Sequence, residues 1–80
     1  MARYITVRVV DSSGRPYYNE KVSVECHRTL ATGFVPDQST DREGVAQFSV
    51  DDNMPEISIF VKGRKVVDRD SVRAQYQVVI

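Results

Sequence analysis

The stretch Thr40-Asp41-Arg42-Glu43-Gly44-Val45-Ala46-Gln47-Phe48-Ser49-Val50, TDREGVAQFSV, decides how the rest of the chain is read. Its first half holds two acids and a glycine, Asp41, Glu43 and Gly44. Its second half alternates, with Ala46, Phe48 and Val50 in one phase and Gln47 and Ser49 in the other. An alternating run suits a half-buried strand, whose successive side chains point to opposite faces. Asp41 accepts backbone hydrogen bonds from residues just ahead of it, and Gly44 supplies a positive φ. The stretch therefore reads as a turn that launches a core strand.

The same pattern recurs along the chain. Residues 3 to 10 alternate, with Ile5, Val7 and Val9 inward and Tyr4, Thr6 and Arg8 outward. Asp11 to Pro16, DSSGRP, ends that run with Gly and Pro. Residues 21 to 27 place Val22, Val24 and Cys26 inward, and Ser23, Glu25 and His27 outward, so His27 is expected to be exposed. Residues 28 to 40 are the least regular. Leu30, Phe34 and Val35 suggest a short strand interrupted by Gly33 and Pro36. Residues 56 to 62 turn Ile57, Ile59 and Val61 inward, and Ser58, Phe60 and Lys62 outward. Lys62 to Lys65, KGRK, is a tight turn, followed by a short strand at Val66–Val67. The last strand, residues 72 to 80, places Val72, Ala74, Tyr76, Val78 and Ile80 on one face. No amphipathic helix competes. Tyr4, Phe60 and Val79 fall on the second face and suggest sheet edges or a contact surface.

Six to seven short strands at such spacing predict an all-β fold, an antiparallel two-sheet β-sandwich. The chain has 80 residues, which makes a single domain, residues 1–80, with a small core. The hydrophobic share of 41% is too high for a disordered tail. Those residues lean to Val and Ile, with four Tyr and three Phe, and branched and aromatic side chains suit a pleated surface.

Eleven basic and eleven acidic residues cancel, so the chain as a whole exerts no pull on nucleic acid or acidic lipid. The acids gather in residues 37–56 and the bases in residues 57–80, which suggests either solvated loops or end-to-end stacking. Lys62, Arg64, Lys65, Arg69 and Arg73 alternate with acids and lack a stacking array of aromatics, so no nucleic-acid partner is expected. No apolar run is long enough to span a membrane. MARYITVRVVD has no apolar h-region, so no signal peptide is expected, and the compartment stays open.

Two phrases, VRVVDSSGRPYYNEKVSVEC (Val7 to Cys26) and STDREGVAQFSV (Ser39 to Val50), together resemble a pattern of Ig-like modules. The pattern is V-x-V-x-D-x-x-G-x-P, a spacer, V-x-V, then T-D-x-x-G-x-A-x-F. It resembles bacterial Ig-like modules of the invasin and intimin type. It is also similar to carboxypeptidase regulatory-like, transthyretin-like modules. The resemblance implies an Ig-like or transthyretin-like sandwich, used as a spacer, adhesion or accessory module, often at a cell surface or secreted. A hydroxyisourate hydrolase lies within the transthyretin-like group, but it would require several His and Arg residues and a C-terminal Tyr-Arg-Gly-Ser. This chain has one His and ends Tyr76-Gln77-Val78-Val79-Ile80, so that activity is rejected.

The remaining chemistry is sparse. Cys26 and His27 are strand neighbours that face opposite ways, so they form no nucleophile–base dyad. One cysteine gives neither a disulfide nor a zinc cluster. Asp37, Asp41, Glu43, Asp51, Asp52 and Asn53 are hard oxygen donors but match no calcium-loop spacing, and turn chemistry explains Asp41. No catalytic residue, metal or cofactor is expected, and no enzyme. The expected function is a non-catalytic β-sandwich module for protein interaction or structural spacing. Tyr17, Tyr18 and Phe34 are the expected contact residues. The alternative is a carbohydrate-binding accessory module using the same aromatics. The segment after Arg73 carries no charge, so as a sheet edge it would pair with another copy or another protein.

Overall fold

A computed structural model describes residues 2–27 and 32–80, and Leu30, expected in a short strand with Phe34 and Val35, lies outside them. Eight strands form among the described residues: β1 (Ala2–Val10), β2 (Lys21–His27), β3 (Thr32–Phe34), β4 (Gln38–Ser39), β5 (Val45–Asp51), β6 (Glu56–Val61), β7 (Arg64–Ser71) and β8 (Gln75–Val79). One sheet has the order β5-β1-β8; the other runs β3-β2-β6-β7, with β4 also on β2. β3 pairs with Glu25, Cys26 and His27, while β4 pairs with Lys21 and Val22. The two therefore behave as one strand along β2, interrupted at Val35–Asp37, where Pro36 lacks an N–H. Gly33 does not interrupt; it pairs with Cys26.

The inward phases are those the alternation predicts. Ile5, Val7, Val9, Val22, Val24, Ala46, Phe48, Val50, Ile57, Ile59, Val61, Tyr76 and Val78 are buried together, with Cys26 and Met54. The two inner faces meet as in a sandwich. Two features depart from the simple pattern. β1 and β8 run parallel, with Val7 opposite Tyr76 and Val9 opposite Val78. The chain reaches β8 by crossing from the edge of the other sheet, and a crossover of that kind permits parallel pairing. The strand expected only at Val66–Val67 is the longer β7, whose register slips between Ile57, Ile59 and Phe60. Bulges break its alternation, which hides it from a period-two reading. The start of the last expected strand, Val72 to Ala74, is instead the crossover, and Ala74 is exposed.

Two turns of the same build hold one end of the sandwich. Asp41 Oδ1 accepts the N–H groups of Glu43 (2.9 Å) and Val45 (3.0 Å), and Gly44 has φ +80°. Asp11 Oδ1 accepts those of Ser13 (2.9 Å) and Arg15 (2.9 Å), and Gly14 has φ +87°. These bonds pull the Asp11 carboxyl below its usual range, with the Arg15 N–H the largest cause. Both are D-x-x-G-x turns at points where the chain changes sheet. They touch: the Gly44 carbonyl accepts the Val9 N–H (2.8 Å), and the Val9 carbonyl accepts the Tyr17 N–H (3.0 Å). A Cβ at Gly44 would lie 2.6 Å from Val9 O and 2.9 Å from the Pro16 Cβ, whereas one at Gly14 meets nothing. Buried Thr40 ties the same loops, donating its hydroxyl to the Tyr17 carbonyl and accepting the Glu20 N–H (2.8 Å).

Tyr76 anchors the other crossover. Its hydroxyl donates to the Ser71 carbonyl (2.9 Å) and accepts the Arg73 N–H (3.1 Å). Burial pushes the Tyr76 hydroxyl above its ordinary value, against the Arg73 N–H bond that favours the anion.

Gly44→Ala is expected to cost about 3 kcal/mol, combining a left-handed residue (~1–2 kcal/mol) with a backbone collision. Gly14→Ala carries the left-handed cost alone, ~1–2 kcal/mol. Urea denaturation of both variants checks the difference, and equal losses would refute the close approach. Tyr76 contributes stability that is complete below pH ~10 and is lost as pH rises through its raised folded-state value. Alkaline melts should therefore show a shallower loss above pH ~10 in Tyr76→Phe than in the parent chain.

Candidate functional site

The expected contact residues separate in space. Tyr18 is exposed, while Tyr17 is half-buried and packs against the core. The Lys62 ammonium lies 4.8 Å from the Tyr17 ring centroid, so one ring face is already taken. Phe34 sits in β3 opposite Glu25, towards the other end of β2, and its side chain lies outside the described set. Tyr4 and Val79, which the alternation left on the second face, are both exposed.

The charges, segregated in sequence, interleave in space. Lys21 pairs with Asp37 (3.2 Å), Lys62 with Glu20 (3.7 Å), Lys65 with Asp68 (3.4 Å), Arg69 with Glu56 (3.3 Å) and Arg73 with Asp70 (3.2 Å). The acidic turn at Asp41 also lies at the end of the sandwich where the Lys62–Gly63 turn sits, since Arg8 pairs with Val45 and Val22 with Val61. Each exposed pair contributes ~0–1 kcal/mol. Among the described residues no three of His, Cys, Asp and Glu come together as a metal-holding group. No helix of the described chain is long and apolar enough to cross a membrane.

His27 and Ser58 correct the sequence reading. Both were expected to face solvent, and both are buried. His27 Nε2 lies 2.8 Å from Ser58 Oγ and 3.4 Å from Glu25 Oε1. Ser58 Oγ also accepts the Arg69 N–H (3.0 Å), and Arg69 has φ +47°. The register slip in β7 thus folds backbone onto the outer face of β6, and a face so covered no longer obeys alternation. Nothing in the local spacing signals this, because it depends on a bulge in another strand.

A histidine 2.8 Å from a serine invites a nucleophile–base reading, but the arrangement forms no relay. Glu25 reaches the same ring nitrogen as Ser58, whereas an orienting carboxylate must hold the other one. Nδ1 has no partner among the described residues. Ser58 Oγ is fully buried and committed to the Arg69 N–H. The cluster is a polar latch that fixes the bulge. Cys26 is buried in the core, facing away from it.

A cleft of about 260 Å³ opens between the free edges of the two sheets, β8 and β7, beside the β6–β7 turn. Tyr17, Val66, Val79 and Ile80 form its apolar surface, and Lys62, Arg64 and Lys65 its cationic rim. Lys62 (φ +54°) and Gly63 (φ +73°) form a two-residue hairpin turn that presents this rim. Sequence spacing found the bases but not the cleft, which needs β8 beside β7.

Ser58→Ala leaves the part-buried Arg69 N–H without its acceptor and His27 without its nearest partner. The expected loss is about 1–3 kcal/mol, read from a chemical melt. A loss below ~0.5 kcal/mol would show that the latch does not hold the bulge.

Comparison with known proteins follows the fold. The chain matches the family model described as Macroglobulin domain MG4 over residues 1–79. Among solved structures, a 9R-lipoxygenase from Cyanothece PCC8801 is similar, with a TM-score of 0.62 and 14% identity. The likeness covers 98% of this chain and 16% of the lipoxygenase chain, and at that identity it concerns the fold alone. No curated protein matches the sequence. The β-sandwich expectation holds, but the family match gives no support to the invasin, intimin, carboxypeptidase regulatory or transthyretin-like types. The chain belongs to the macroglobulin domain MG4 family of non-catalytic, Ig-like β-sandwich modules.

Proposed function

We propose that this chain is a non-catalytic module for protein interaction and structural spacing, and that β8 is the edge through which it docks. The observation that supports this reading is the bareness of β8. It pairs with β1 on one side and with no described strand on the other. Its outward side chains are Gln75, Gln77 and Val79, none of them charged. Edge strands are ordinarily protected by charge, and β7 on the other sheet has that protection in Arg64, Lys65, Asp68, Arg69 and Asp70.

The ladder fixes which backbone groups β8 offers. Thr6 N–H bonds to the Ala74 carbonyl and Ile80 N–H to the Val10 carbonyl. In a parallel pair alternate residues face one neighbour, so Ala74, Tyr76, Val78 and Ile80 serve β1. Gln75, Gln77 and Val79 then direct N–H and C=O outward, ready for an added strand. Tyr17 is the aromatic contact beside this edge, sharing the cleft with Val79, and exposed Tyr18 is retained as a second contact residue of the module. Phe34 is retained as a third contact residue of the module. A carbohydrate-binding role has no support in the family match, and Lys62 occupies a Tyr17 face that a sugar ring would need.

Either another polypeptide or a second copy of the chain can lend the added strand, and self-pairing is the version that the chain alone can test. Light scattering up to millimolar concentration should show reversible pairing. Gln77→Pro removes one outward N–H without touching the β1 ladder, and should return the chain to monomer while keeping its melt. A strict monomer throughout that range would refute self-pairing through β8.

A further inference from the structure

The cleft between β8 and β7 specifies the kind of strand that β8 accepts. We propose that its partner is an acidic polypeptide segment carrying an apolar side chain, the apolar group seated on Tyr17, Val66 and Val79 and the carboxylates on Arg64 and Lys65. This inference rests on the edge reading of β8 and adds the chemistry of the partner.

Size restricts the occupant. Sites for drug-sized ligands run from about 300 to 1,000 Å³, and this cleft holds about 260 Å³. It suits one or two side chains of a peptide. Position restricts it further. Val79 belongs both to the outward-facing set on β8 and to the cleft lining. A strand laid on β8 therefore runs over the cleft, and one of its alternating side chains points in. In strand addition the main chain supplies affinity, and such pockets supply specificity.

Charge sets the rest. Lys62 and Lys65 are held by Glu20 and Asp68, carboxylates that do not line the cleft. Arg64 has no anionic partner among the described residues. Its planar fork is suited to a carboxylate held side-on. A basic segment would meet three cations and no side-chain carboxylate in the lining.

The test uses two capped peptides, Ac-Asp-Leu-Glu-Val-NH2 and Ac-Lys-Leu-Lys-Val-NH2, titrated against the 80-residue chain with backbone amide shifts as the readout. The acidic peptide should move residues 61–66 and 79–80, and the basic peptide should not. Arg64→Glu and Lys65→Glu should each weaken the acidic peptide by roughly tenfold, the size of one reversed charge contact. Both positions are exposed, so an unchanged amide spectrum elsewhere confirms that each variant folds. Equal binding of the two peptides, or charge reversals without effect, overturns the proposal. The two readings fail separately. Cleft shifts that survive Gln77→Pro sustain the acidic site even if light scattering shows no strand pairing. Pairing without cleft shifts overturns the acidic site alone.

Discussion

Val9 is the point on which one end of the sandwich hangs. Its side chain is fully buried, its N–H is held by the Gly44 carbonyl and its carbonyl by the Tyr17 N–H. Three segments far apart in sequence meet there: the end of β1, the turn into β5 and the loop into β2. The approach is so close that position 44 has no room for a Cβ. An uncharged buried backbone group must find a partner, and here the partners come from two turns of identical chemistry. Asp11 and Asp41 each fold a short loop around one carboxylate oxygen. The loops are thereby stiff enough to be packed against each other, and Thr40 closes the remaining gap.

That constraint explains why so much of the fold is legible in the sequence. The D-x-x-G turns mark where the chain changes sheet, and the runs beside them alternate because one face meets the core. Ile5, Val7 and Val9, or Ala46, Phe48 and Val50, are correctly assigned from period two alone. What fails is whatever depends on a third element. Ser58 and His27 read as solvent-facing until the bulge in β7 lays the Arg69 N–H on Ser58. The parallel partnership of β1 and β8 is invisible because pairing direction is set by which sheet the chain returns to. The cleft is invisible for the same reason, since Val79 and Arg64 are neighbours only after that return.

The motif that is most informative about the fold is uninformative about function, and the reason is physical. Asp41 commits one carboxylate oxygen to two backbone N–H groups and Gly44 commits its conformation to a turn, so both are accounted for by the architecture. Asp11 does the same, its Oδ1 accepting the Ser13 and Arg15 N–H groups. An architecture held by such residues leaves its surfaces free to serve unrelated functions.

Function must then be sought where the architecture leaves groups unspent. The two sheets end differently. β7 closes its sheet with charges and bulges, both of which discourage an added strand. β8 closes the other with glutamines and a valine on a parallel ladder whose register does not slip. The polar latch at His27 and Ser58 bears on this contrast, because it holds the bulge that bends β7 away from regular pairing. One edge is thus blunted by a device buried in the outer face of its own sheet, and the other is left able to receive a partner. The cationic rim of β7 faces the cleft beside β8, so in the proposed docking the blunted edge would select the charge of the partner.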